Sequence, residues 1–228
     1  MLYGSIVVTL LALAAAVPLG IMAAIFTSQV LPAKWHFTVK SLLELLAGIP
    51  SILYGLIGVA LLSVNIETLF GLQSGRTLFT AGILLAVMVL PTIMTLTDDA
   101  LRRVPRQYRE TAAGLGLYPH EIIWHVLMPI AKADIIGAIL LALGRALGET
   151  MAVMLIIGGI DRIPQPFYNI LSPGQTLTSK LGRELTEAAF GSPHFSALIF
   201  MGLILLMIVL ICTLLAHLRL EPQRRLHE

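Results

Sequence analysis

QYRETAAGLGLYPHEIIWHVLMP, residues 107–129, is a markedly polar interval set between apolar runs. Its punctuation is regular. Pro105 stands where a helix begins, because the fixed φ of proline suits a first turn. Residues 107–115 read as helical. Gly116 then supplies a stop where positive φ carries no Cβ penalty. Pro119 opens a second short helix and Pro129 closes it. The spacing predicts a compact knuckle: two short helices joined by a glycine turn.

Everything around the knuckle is apolar. Of 228 residues, 57% are hydrophobic and only 12% charged, against about 25% charged in an average soluble domain. Mean hydropathy is +0.89. Such a composition excludes an ordinary soluble domain and implies an integral membrane protein. Crossing a hydrocarbon core about 30 Å thick takes roughly 20 apolar residues. Five stretches qualify, at about 4–27, 43–64, 77–97, 134–158 and 195–217. The expected fold class is therefore all-α: a polytopic transmembrane helix bundle of about five spans, with residues 1–228 as one domain. Pro18 with Gly20, and Pro91, read as kinks. Gly48, Pro50 and Ser51 interrupt the second span, where neighbouring helices must satisfy the freed backbone groups. Two links stand out, 98–132 with the knuckle and 160–194, rich in Pro and Gly, with a helix expected along the interface over 177–190. The first apolar run lacks a basic flank and is too long for a signal peptide core, so it reads as a true span. A single cysteine, Cys212, excludes a disulfide within the chain.

Lysines and arginines choose the orientation. Placing the knuckle in the cytoplasm puts Lys34, Lys40, Arg102, Arg103, Arg106, Arg109, Lys132, Arg219, Arg224 and Arg225 inside. Arg76, Arg162, Lys180 and Arg183 then lie outside. Ten against four favours this arrangement, with the carboxy terminus inside. Five spans leave the amino terminus outside, which is the pattern expected if one further helix precedes this chain.

The fourth span holds the chief anomaly, LALGRALGETMAV at residues 141–153. Arg145 falls near mid-span, where a charge costs roughly 2.5–3.5 kcal/mol on insertion scales. Glu149, four residues on, is expected one turn above it on the same face. Gly144 and Gly148 form a small-residue stripe beside them, for close helix packing. Two readings fit. The pair is a structural ion pair holding helices in register, or it lines an anion pathway, since an arginine fork matches oxyanions bidentately. In the second reading Arg145 contacts the anion and Glu149 tunes that contact. Pro50 and Ser51 offer backbone amides or a hydroxyl to the same pathway, or simply form a packed kink.

Residues Glu110, Ala112, Gly116, Val126, Met128 and Pro129 resemble the EAA loop of binding-protein-dependent ABC import permeases. The spacing agrees, with Thr111 in place of the middle Ala, Val126 of the Ile and Met128 of the Leu. That resemblance implies a cytoplasmic loop docked in a groove of a separate ATPase. GRALGETMAVMLIIGG, LLAGIPSILYGLIG at 45–58 and the run at 176–205 resemble the phosphate permeases of the Pst system. Of its two permease types the GETMAV wording is PstC-like; a PstA-type chain would continue Gly-Glu-Thr with Ala-Pro. The resemblance covers nearly the whole chain. It implies phosphate as the substrate, a PstA-like second permease, a PstB-like ATPase dimer and a PstS-like external binding protein. An ABC permease for sulfate or molybdate and a passive anion channel are the alternatives.

Other chemistries find little support. No GxxxxGK[ST] is present, so ATP would be bound by a partner. Gly114-Leu-Gly116 lacks a third glycine and a preceding strand. His120 and His125 lie off one helical face and form no metal set, and no cofactor is expected. Residues 98–132 carry five basic and four acidic groups, too balanced for a nucleic-acid face. Trp35, Trp124, Tyr118 and Tyr168 sit near span ends, where amphipathic rings favour the lipid interface.

Overall fold

The computed structural model describes the backbone of residues 1–224 and, Ala33 excepted, side chains through residue 215. The side chains of Arg219, Arg224 and Arg225, counted above for orientation, lie outside the described residues. The elements in order are α1 (Leu2–Val30), α2 (Ala33–Ala47), α3 (Ser51–Phe70), α4 (Leu78–Arg103), α5 (Arg106–Gly114), α6 (Pro119–Gly148), α7 (Met151–Ile156), α8 (Leu177–Glu184) and α9 (Pro193–Arg224). Among the described residues there is no strand, only one isolated bridge between Gly158 and Gly174. Five helices, α1, α3, α4, α6 and α9, are long and apolar enough to cross a membrane.

Boundaries differ from the sequence expectation in several places. The second span starts at Ser51, not near residue 43, so Pro50 and Ser51 open a helix rather than interrupt one. Proline restricts the residue before it to extended backbone, and Gly48-Ile49-Pro50 therefore ends α2. His36, Lys40 and Glu44 recur every four residues and give α2 a polar face. The second knuckle helix is not closed by Pro129. It continues as one run from Pro119 to Gly148, passing through a wide π turn over Ile122–Leu127. A proline ring clashes with the carbonyl four residues back, and the wide turn ends just where Pro129 begins a new α-helical stretch. The fourth span, expected to run to 158, breaks after Gly148 and resumes as the short α7. The link helix spans Leu177–Glu184 only, and its first turn is buried in the bundle. Pro18 and Pro91 lie inside continuous helices.

Helix α4 is the axis. Two thirds of its central window is buried (67%), against 6% for α9. Val8, Ala12 and Ala16 of α1 pack on Ala81, Leu85, Val89 and Ile93 of α4. Small residues let these helices approach closely: a Cβ on Gly82 would lie 2.8 Å from Leu11 Cβ. The amino end of α4 has orphan N–H groups, as every helix does. Loop carbonyls accept them, Ser172 from Leu78 at 3.1 Å and Ile170 from Phe79 at 2.9 Å. The Thr77 hydroxyl caps Thr80. The 160–194 link is thus tied across the start of the central helix.

Gly82→Ala should lower the melting temperature of the detergent-solubilised chain, overpacking of this kind costing about 1–3 kcal/mol. Gly114→Ala, where the new Cβ would meet nothing within 4 Å, should not lower it. Equal melting of Gly82→Ala and wild type would refute the close α1–α4 contact.

Candidate functional site

Arg145 lies in α6 and reaches two other helices. Its Nη1 donates to Thr92 Oγ1 of α4 at 2.9 Å, and its Nη2 to the carbonyl of Ala47 at 3.2 Å. Ala47 is the last residue of α2. Helix carboxy ends present unpaired carbonyls with partial negative charge, a natural seat for a cation. Both partners are uncharged oxygens. The Arg145 side chain is exposed within the chain, and a guanidinium has five N–H donors.

The expected Arg145–Glu149 pair is not formed: no Arg145 ion pair exists among the described residues. The reason is backbone geometry. The helix ends at Gly148, and Glu149 adopts φ −68°, ψ 121°, so the i,i+4 relation is lost. Glu149 instead caps α7, its Oε1 accepting from Ala152 N at 3.2 Å. Its carbonyl accepts from Thr178 Oγ1 at 2.8 Å. It borders a small cavity with Ser5, Thr9, Thr176 and Thr178. Pro50 and Ser51 begin α3 directly past the α2 end that Arg145 holds, so the break they form adjoins the arginine. The glycine stripe splits. Gly144 faces α9, a Cβ there lying 3.6 Å from Thr213 Oγ1, whereas one on Gly148 would meet nothing within 4 Å.

The knuckle has the expected α5 and glycine turn, with Gly116 at φ +86°. Ala112 is buried, Glu110 and Pro129 are exposed, and Val126 is half-buried. Leu115 and Tyr118 stand 77% and 67% exposed on the tip, Tyr118 thus on the knuckle rather than at a span end. Beneath them Leu101, Val104, Leu127, Ala131 and Ile135 form a second core. Arg109, counted among the cytoplasmic cations, turns inward. Its Nη2 donates to the Leu101 carbonyl at 3.0 Å and clamps the knuckle to the end of α4. Burial, with the charges of Arg102 and Arg106 adding to it, pushes this guanidinium below its ordinary pKa.

A further cluster escaped the sequence reading. Asp98, only 3% exposed, accepts from Thr27 Oγ1 at 3.0 Å, meets His36 Nε2 at 2.8 Å and accepts from Arg102 Nε at 3.2 Å. Lys40 pairs with Asp99 at 2.5 Å. The apolar run stops at residue 97, but the helix continues to Arg103, so both aspartates lie on α4 rather than in the loop. The i,i+4 spacing of Asp98 and Arg102 was the available signal. Among the described residues, no three His, Cys, Asp or Glu side chains group as a metal would need.

Fold and site together define a class: the multi-pass membrane subunit of an ABC transporter. Residues 16–226 match the family described as binding-protein-dependent transport system inner membrane component, and the chain belongs to that family. It is 36% identical to the phosphate transport system permease protein PstC of Mesorhizobium japonicum, covering 95% of this chain and 71% of that one. Identity is 37% to the protein of the same description from Pasteurella multocida, over 90% and 68%. It is 34% to the probable ABC transporter permease protein YqgH of Bacillus subtilis, over 94% and 68%. Two solved structures share the fold. An inward-facing MetNI methionine ABC transporter matches with TM-score 0.66 at 18% identity, over 94% of this chain and 88% of that one. An amino acid ABC transporter with histidines matches with TM-score 0.64 at 19%, over 95% and 89%. Membership implies an ATPase and a binding protein as partners.

Gly116→Ala places a Cβ on left-handed backbone, a cost of about 1–2 kcal/mol. Trypsin should then cut the knuckle faster while the bundle melts unchanged; unchanged cleavage would contradict the strained turn.

Proposed function

We propose that the chain is one of two permease subunits of an ATP-driven importer of inorganic phosphate in the plasma (inner) membrane. Its partners in this reading are a PstA-like permease, a PstB-like ATPase dimer and a PstS-like external binding protein. Residues 98–132 and the carboxy terminus face the cytoplasm, and residues 160–194 face outward. The ATPase grips the exposed knuckle tip at Glu110, Gly116 and the apolar side chains of Leu115 and Tyr118. Ala112, Val126 and Pro129 shape that knob from beneath.

One observation carries the reading. Arg145 sits in a membrane-length helix, and both its hydrogen-bond partners are neutral oxygens. Among the described residues its charge therefore has no ionised partner, beside a break bearing Pro50 and Ser51. A phosphate oxyanion would supply that charge and a matching pair of acceptors. Glu149 acts indirectly, by fixing the hinge between α6 and α7. Gly144 and Gly148 allow neighbours to approach α6. ATP binding in the partner favours one arrangement of the bundle and hydrolysis the other, so the site opens alternately to either side. The named relatives support phosphate as the cargo.

In proteoliposomes holding the assembled transporter, Arg145→Gln should abolish phosphate uptake while ATP hydrolysis persists. Unaltered uptake would rule out the role, and uptake of sulfate or molybdate in preference to phosphate would reassign the cargo. A Leu115→Cys variant should crosslink to the ATPase subunit; its failure to do so under any nucleotide condition would rule out docking at the tip.

A further inference from the structure

One helix runs from the knuckle end of the bundle to Arg145, and it is pinned at both ends. Near its start His36 Nε2 meets Asp98 Oδ2 at 2.8 Å, and at mid-helix Lys40 Nζ meets Asp99 Oδ1 at 2.5 Å. At its finish the Ala47 carbonyl accepts from Arg145 at 3.2 Å. Eleven residues separate His36 from Ala47, about 16 Å of helix at 1.5 Å per residue. Between its ends α2 meets α4 along one half-buried strip, where Val39 and Leu43 border the same small cavity as Met94 and Thr95. None of its described residues is buried, and Trp35, Phe37, Leu42 and Leu45 are more than half exposed. A helix with no fully buried side chain, tied by polar contacts at His36, Lys40 and Ala47, is suited to move as a rod.

The clasp at Asp98 is well placed to drive it. Asp98 joins three helices: α1 through Thr27 in its wide last turn, α2 through His36, and α4 itself. Arg102 completes the knot by donating to the Thr27 carbonyl at 3.1 Å. The contacts to Asp98 are direct, all within 3.2 Å. Arg109 of the knuckle holds the Leu101 carbonyl in the same last turn of α4. Knuckle and clasp therefore share one rigid segment.

We infer that α2 is a lever linking the knuckle to Arg145, with Asp98 as the positioning residue that transmits the motion. When the knuckle shifts, α2 follows, the Ala47 carbonyl leaves Arg145, and the freed N–H turns to the anion. The inference rests on the reading of Arg145 as the anion contact, but the movement of α2 is measurable without it.

The test uses the transporter purified with its ATPase and second permease and placed in lipid. Ala47→Cys, in a Cys212→Ser background, is labelled with a water-soluble maleimide with and without ATP. The rate at position 47 should change roughly tenfold with ATP, the scale of a typical coupling between sites. Asp98→Asn should lose that change while ATP hydrolysis continues. Lys40→Asp and Asp99→Lys should each lose it singly, and the double swap should regain it. Should Asp98→Asn fail to assemble, the swap series and the parent labelling still decide. An ATP-independent rate in the parent, or a full response in Asp98→Asn, would overturn the lever. If Arg145→Gln transports normally while labelling at 47 still responds to ATP, the anion reading falls and the movement of α2 stands.

Discussion

A guanidinium placed in an apolar bundle must be given oxygens, and the chain supplies them by interrupting its own helices. Holding a charge in the middle of a membrane-length helix costs several kcal/mol unless oxygens or water solvate it. Arg145 finds one partner because α2 stops at Ala47, leaving a carbonyl that an unbroken helix would have consumed internally. It finds the other in the hydroxyl of Thr92, directly after Pro91. The Gly48-Ile49-Pro50 break is therefore more than a boundary between elements. It creates the acceptor that makes an arginine tolerable in this helix, yet among the described residues that arginine has no countercharge.

The same logic of ends and breaks runs through the bundle. Helix α4 is buried along most of its length, and functional contacts gather at its ends and middle. At its start, carbonyls of the 160–194 link satisfy its free N–H groups. At its middle lies Thr92, and at its finish Asp98, Arg102 and the carbonyl held by Arg109. A rigid axis touching the knuckle, α2 and the arginine allows a push at one end to be felt at the other. Coupling of that kind needs two discrete arrangements of packed elements rather than continuous bending.

Much of this was legible in the residues. Five runs of about 20 apolar residues announced the bundle, and Gly116 announced the knuckle's turn, because both signals are local. Arg145 was conspicuous because charge is rare within such runs. Its partners were not legible. Thr92 and Ala47 are 53 and 98 residues away in sequence, and no periodicity reports a tertiary carbonyl. Glu149 was paired with Arg145 on the assumption of an unbroken helix; Gly148 ends that helix, and the spacing rule fails with it. Pro129 looked like a stop because proline rarely follows a regular turn, and a wide turn admitted it. Asp98 and His36 were overlooked because a histidine 62 residues from its carboxylate looks isolated until the chain folds.

Whether position 145 faces an aqueous path or lipid decides the account. The measurement is the reactivity of Arg145→Cys, with Cys212→Ser, toward a charged, water-soluble thiol reagent and a lipid-soluble one, in the assembled transporter. The account predicts rapid reaction with the charged reagent, slowed when phosphate is present. Reaction with the lipid-soluble reagent alone would contradict it.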